Sequence, residues 1–294
     1  MKKSNKNKIV KNNKELEALS REDIKKITNL AKDPNIYRLL ANSIAPKVYG
    51  FDKIKETILL QLFGSAIQKD RRNSINVLLV GDPAVAKSMI LESVSEIASN
   101  KEVVCLDNID RMSNKNKKLI LFDDKKSILA TADPRLGRFD PYTPIPEQIR
   151  ISPVFLSCFD IIFVIRDIPS KSADKAIASF ILEGKDRSVK KVIEDRIIKK
   201  YLFYARQEIN PILTNGAKTE IRNFYIKIRN SAINGNSEVR PVPIAARQLG
   251  SLIRLSEANA KIRLSNKVNR EDAKKTIEIL MSSLRQIGYD EDKK

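Results

Sequence analysis

The sequence predicts an α/β protein built on a parallel sheet and followed by a helical second part, and three observations carry that reading. The run 75–80 (INVLLV) is short, apolar but for one Asn and ends in Gly81, the pattern of a strand buried on both faces. Three further short runs, Val103–Leu106, Ser127–Ala132 and Ile161–Ile165, are separated by stretches of helical periodicity. Strands that alternate with helices imply a parallel sheet. After about Ser170 the strand signals stop, and 174–184, 190–208, 215–232, 243–264 and 270–286 all carry apolar residues at helical spacing.

The remaining elements follow in chain order. Residues 1–14 hold six lysines and no acid, which predicts a disordered basic arm. From 15 to 40, Leu16, Leu19, Ile24, Ile27, Leu30, Leu39 and Leu40 recur at helical spacing, and Asp33-Pro34 breaks the run and starts a new helix. Gly50 precedes an amphipathic stretch, 54–67, with Ile54, Ile58, Leu59, Leu62 and Phe63 on one side. A helix over 88–99 follows the first strand. Residues 114–118, made of Asn and Lys alone, read as a polar loop.

Composition narrows the chemistry. The chain has 294 residues and no histidine, which removes every histidine base and every histidine-ligated metal. Two cysteines, Cys105 and Cys158, are too few for a four-cysteine zinc site or a disulfide framework. No apolar run is long enough for a membrane span and 1–14 has no apolar signal core, so a cytoplasmic protein without membrane contact is expected. The net charge of +19 fits a nucleic acid or another acidic partner. It fits equally a lysine-rich surface that is simply solvated.

The chemistry-bearing motif is Gly81-Asp82-Pro83-Ala84-Val85-Ala86-Lys87-Ser88, which leaves a buried strand and opens a helix. That context suits a phosphate loop: backbone N–H groups and a helix start offer partial positive charge to an anion. Lys87 would reach the β- and γ-phosphates and Ser88 would place its hydroxyl on Mg²⁺. Ala86 stands where the general pattern has a second glycine.

The loop in this form resembles that of the minichromosome maintenance (MCM) family, the AAA+ replicative helicases of archaea and eukaryotes. The likeness continues in order along roughly 22–290. It takes in Asp33-Pro34-Asn35-Ile36-Tyr37, Ser43-Ile44-Ala45-Pro46 with Tyr49-Gly50, and Leu60-Gln61-Leu62-Phe63-Gly64. Cys105-Leu106-Asp107-Asn108 is similar to the Walker B segment, and Asp133-Pro134 with Gly137-Arg138-Phe139-Asp140-Pro141 to sensor 1. Leu156-Ser157-Cys158-Phe159-Asp160 stands at the arginine finger, and Arg240-Pro241 with Ala246-Arg247-Gln248-Leu249 at sensor 2. The resemblance implies an AAA+ P-loop NTPase core over 15–194 and a helical lid over 195–294. It implies ATP and Mg²⁺ as cofactors, held by the loop, by Ser88 and Asp107 on the metal, and by a turn at Val48, Tyr49 and Gly50 near the adenine. Arg247 would touch phosphates from the lid. Taken as residues alone, Asp107 can equally cap a strand, Tyr49 can be core, and Arg247 can be a solvated helix charge.

Three positions depart from the family. Asn108 replaces the glutamate that prepares the attacking water, a loss worth roughly 10²–10⁴ in rate. Asp133 puts a negative charge where a neutral Asn should meet the γ-phosphate, and Cys158 replaces the arginine finger, worth roughly 10³–10⁵ in related enzymes. Intervals are short as well. Twenty positions separate Lys87 from Asp107, too few for the family's strand and DNA-directed insertion, so one edge strand of the usual five is expected to be missing. The hairpin before sensor 1 is reduced, and neither the family's N-terminal OB-fold nor a winged-helix tail is expected. The expected function is an MCM-like protein that binds ATP or ADP, hydrolyses ATP slowly or not at all, and associates with DNA, weakly and through charge, or with a ring of itself or full-length MCM subunits. The alternatives are an active helicase subunit in a mixed ring and a remnant of a mobile element.

Overall fold

The computed structural model of the chain describes residues 19–68, 71–98, 102–122, 126–184, 192–231, 244–287 and 289. The basic arm 1–14 and Arg240-Pro241 lie outside them. Four parallel strands, β1 (Val77–Gly81), β2 (Val103–Leu106), β3 (Ser127–Ala132) and β4 (Ile161–Ile165), form a sheet in the order β2-β3-β1-β4. The last three have the bounds read from the sequence. The first begins two residues late because side chains take over at its start. Ser127 Oγ accepts the Ile75 N–H at 3.0 Å, and Asn76 Oδ1 accepts the Ile128 N–H at 3.0 Å. β2 is the open edge and is only half covered along most of its length. Among the described residues no strand lies beyond it, as the short Lys87–Asp107 interval predicts.

Side chains alternate across the sheet. Val77, Leu79, Leu129, Ile161 and Phe163 belong to one apolar cluster, and Leu78, Val80, Ile128, Ala130 and Ala132 to another. The first cluster takes in α1 (Arg21–Leu30), α2 (Ile36–Ser43), α3 (Asp52–Phe63), α4 (Lys87–Ile97) and the helices from Asp195 onward. The second is smaller and is closed by Ile109, by Leu121 of α5 (Asn114–Leu121) and by Phe155 of the short α6 (Pro153–Leu156). Burial on both faces explains why the strands read as continuous apolar runs.

One expectation is corrected at α5. The Asn- and Lys-rich segment 114–118 is helical, not a loop. Ser113 caps it by accepting the Asn116 N–H at 3.3 Å, Leu121 is buried, and Lys117 buries its stem while its ammonium donates to the Asp110 carbonyl at 3.2 Å. A cap and tertiary burial outweigh the weak helix preference of asparagine.

The second part consists of α7 (Lys171–Gly184), α8 (Asp195–Glu208), α9 (Asn215–Ser231), α10 (Ala246–Ile262) and α11 (Arg270–Gln286). It also carries a parallel pair, β5 (Ile212–Leu213) with β6 (Lys267–Val268), that the periodicity did not signal. Two residues a side are too few to leave an alternating pattern. α10 is buried almost all round from Ser251 onward. Several of its polar groups are paired: Ser256 with Thr276 at 2.8 Å, Asn259 with Asp272 at 3.0 Å, and Lys261 with the Ser65 carbonyl at 2.8 Å. Among the described residues no helix is long and apolar enough to cross a membrane.

Candidate functional site

The phosphate loop leaves β1 at Gly81, beside β4. A Cβ at Gly81 would sit 2.9 Å from Ile165 Cβ and 3.0 Å from the Ile165 carbonyl, so only glycine permits the approach. Asp82 is buried, and its carboxylate is spent on the scaffold. Oδ1 accepts the Phe139 N–H at 2.8 Å and Oδ2 the Asp167 N–H at 2.7 Å, which fastens the loop to the segments after β3 and β4. Pro83 and Ala84 are exposed, and Val85 and Ala86 half-buried. Ala84 (φ 65°) and Ala86 (φ 60°) both take the left-handed conformation, the geometry from which N–H concavities for anions are built. Ala86 is the cap of α4, so Lys87 and Ser88 stand in the first helical turn, where N–H groups lack intrahelical partners.

Lys87 points back into the loop. Its ammonium donates to the carbonyls of Gly81 at 2.5 Å and Asp82 at 2.7 Å, and pairs with Asp133 Oδ1 at 3.2 Å. Asp133 is held from its other oxygen by Arg111 Nη2 at 2.9 Å, and its N–H donates to Asp110 Oδ1 at 3.3 Å. The sequence pointed to Lys87 and Asp133 separately. Arg111 falls in the segment that resembles Walker B, but nothing in the sequence pairs it with Asp133.

Ser88 and Asp107 come together. Ser88 Oγ donates to Asp107 Oδ2 at 3.1 Å, Thr131 Oγ1 donates to Asp107 Oδ1 at 2.5 Å, and the Asn108 N–H donates to Thr131 Oγ1 at 3.0 Å. Two hard oxygens from two elements thus converge, the donor set a Mg²⁺ shared with phosphates uses. Asn108 is left-handed (φ 53°), so the chain turns away from the strand direction there before a short 3-10 turn at Ile109–Arg111. Thr131 was missed by sequence reading. Its one signal is a fully buried hydroxyl in an otherwise apolar strand interior.

The turn at 48–50 is anchored beside α4. Ser93 Oγ of α4 accepts the Ala45 N–H at 3.1 Å, and the buried Lys55 ammonium donates to the Val48 carbonyl at 2.6 Å. Burial pulls the Lys55 pKa down. Gly50 and Phe51 are both left-handed, which turns the chain sharply into α3. The half-exposed Tyr49 ring lies 5.5 Å from Phe180 of α7, tilted by 51°.

Cys158 and Arg247 belong to a second locus. The Cys158 thiol lies 3.6 Å from the Val154 carbonyl, and the Cys158 carbonyl accepts from Asn76 Nδ2 at 3.0 Å and Arg72 Nη1 at 3.3 Å. Arg247, at the exposed start of α10, donates to the carbonyl of Ser157, next to Cys158. Beneath them sits Asp160, whose role the sequence did not reveal. Its Oδ2 accepts from Arg72 at 2.8 Å and the Asn76 N–H at 2.8 Å, and its Oδ1 accepts from Ser251 Oγ at 2.6 Å and from Arg254. One buried carboxylate therefore joins β1, β4 and α10.

Comparison with protein-family models matches the MCM P-loop domain to residues 23–103 and 97–185, and the MCM AAA-lid domain to residues 196–284. The chain belongs to the MCM family. It is 30% identical to the minichromosome maintenance protein MCM of Saccharolobus solfataricus, across 92% of this chain and 48% of that protein. It is 32% identical to an uncharacterized MCM-type protein of Methanocaldococcus jannaschii, across 92% of this chain and 45% of the other. With the DNA replication licensing factor MCM4 of Arabidopsis thaliana the identity is 28%, across 92% and 40%. The chain spans about half the length of the first two of these relatives, or somewhat less. The first alignment runs over 333 positions, more than this chain's 294 residues, so this MCM sequence is shortened internally relative to that protein. The P-loop match also falls into two pieces that meet at 97–103, inside the short Lys87–Asp107 interval.

Proposed function

We propose that this MCM chain is a nucleotide-binding AAA+ module with impaired hydrolysis, divided into a core over 15–194 and a lid over 195–294, which works by association rather than as a self-sufficient helicase. The observation that carries it is the joining of the two halves of the site: Ser88 from the loop helix and Asp107 from the end of β2 lie 3.1 Å apart, beside an ammonium caged by the loop itself. In this reading the N–H groups of the loop and of the first turn of α4 bind the phosphates of ATP, with Lys87 neutralising their charge. Ser88 and Asp107 hold Mg²⁺, and Thr131 orients the Asp107 carboxylate. Bound Mg²⁺ supplies charge neutralisation on the phosphates. The turn at Val48, Tyr49 and Gly50 borders the base.

Hydrolysis fails for want of groups. The Asn108 amide is a very poor proton acceptor, so no side chain at that position takes the proton of an attacking water. The Cys158 thiol carries no positive charge to offer a site on a neighbouring subunit. Arg247 lies beside Cys158 and brings a positive charge to this surface. Ring association and contact with DNA follow the family pattern, and the DNA contact rests on diffuse positive charge. The remaining expectation is that Mg-ATP binds with micromolar affinity, about −8 kcal/mol. Lys87→Ala abolishes the calorimetric signal, and equal affinity in both proteins defeats the reading. Turnover at about 1 s⁻¹ or faster, an ordinary enzyme rate, refutes impaired hydrolysis while leaving the nucleotide site standing.

A further inference from the structure

We propose that Asp133 makes this a diphosphate-selective site, one that holds Mg-ADP in preference to Mg-ATP; the inference rests on the nucleotide-binding reading above. An ammonium has three N–H donors. All three of Lys87 are accounted for, by the Gly81 and Asp82 carbonyls and by Asp133 Oδ1 at 3.2 Å. Two of these acceptors are neutral loop backbone. The third is an anion.

Asp133 is not free to leave. Its side chain is 20% exposed, Arg111 holds its second oxygen at 2.9 Å, and its backbone N–H is tied to Asp110 at 3.3 Å. Two cations thus hold the carboxylate, and Asp110 holds the backbone beneath it, at the end of β3. The α- and β-phosphates depend on the lysine less, because backbone N–H groups of the loop and of the α4 start also bind them. The third phosphate has no such cradle and depends on the lysine and the metal. To reach Lys87 it must expel Asp133 from the ammonium or share the ammonium with it. Either route brings a further anion up to a carboxylate that Lys87 and the largely exposed Arg111 share, a penalty that is smaller for a diphosphate. Discrimination here comes from a repulsive group rather than from an added attraction.

Calorimetric titration of the full chain with Mg-ADP and with Mg-ATP tests the inference, repeated on Asp133→Asn and Asp133→Ser. Wild type should bind ADP tighter than ATP by about tenfold or more, the consequence of one poorly compensated like-charge pair. Asp133→Asn, which keeps a polar partner for Lys87 without the charge, should raise ATP affinity by about tenfold and leave ADP within about threefold. Equal wild-type affinities overturn the inference, and so does a variant with an unchanged ADP-to-ATP ratio, while nucleotide binding as such survives both results. Binding of neither nucleotide by the wild-type chain instead defeats the underlying reading and this inference with it. The wild-type ratio decides even where a variant fails to fold.

Discussion

Ala84 and Ala86 each occupy a left-handed backbone conformation that costs an L-residue with a Cβ about 1–2 kcal/mol. Ala84 is exposed, and Ala86, though half-buried against the core, gains from one methyl group less than that cost, about 0.8 kcal/mol at most. Ala84→Gly and Ala86→Gly are therefore each expected to stabilise the chain, by about 1 kcal/mol less the entropy that glycine adds to the unfolded state. Urea denaturation checks this, and a loss of stability in both would mean that the loop is not left-handed there. Asn108 differs, because asparagine tolerates the left-handed region better than most residues. Asn108→Glu should cost about 1 kcal/mol in the same assay, since glutamate lacks that tolerance. Restoring the family's acid thus means restoring the backbone beneath it too.

At the scale of elements, Asp160 is the joint between the sheet and α10. Its side chain is 1% exposed, and two arginines converge on it, Arg72 at 2.8 Å and Arg254. Removing one partner of a buried ion pair strands the other, a change that costs about 3–5 kcal/mol. Asp160→Ala should lower stability by that order and release Arg247 from Ser157, because α10 carries both Arg247 and Arg254. Limited proteolysis at the start of α10 reports the second effect. Further along α10, burial pulls the Lys261 pKa down to about 8, with Arg206 adding to the fall and Glu257 opposing it. A depressed lysine leaves the folded state with fewer bound protons than the unfolded one between about pH 8 and the ordinary value of 10.5. The Lys261 contribution to stability therefore rises as pH climbs through that window, and its penalty is complete below it. Lys261→Met should flatten the dependence, as thermal melts across pH 7.5–10.5 would reveal.

For the whole molecule the dominant quantity is the +19 net charge. A charge of that size attracts polyanions without reading sequence. DNA affinity is expected to be weak and sequence-independent, with log affinity falling linearly in log salt. Deleting residues 1–14 removes six lysines and should shrink the slope by about 0.9 for each phosphate that the arm had neutralised. Filter binding across a salt series measures both. Tight, salt-insensitive binding would contradict the prediction, because it requires a base-reading element rather than diffuse charge.

Periodicity and motif order alone determined the four strands, the loop between β1 and α4, the helical second part and the family. These are local properties: an apolar run buried on both faces or a glycine before a helix is written in neighbouring residues. Tertiary structure decided what depends on distant partners. Asp133 meets Lys87 across 46 positions of chain and Asp160 meets Arg254 across 94, and no local pattern records either pairing. The same holds for Thr131, whose hydroxyl orients Asp107 from a neighbouring strand, and for 114–118, which burial and a serine cap made helical against its composition. Arg247 could be named from its motif, yet only the docking of α10 on the core set it against Ser157. A charge is visible in a sequence, but its partner is chosen by the packing that brings the two together.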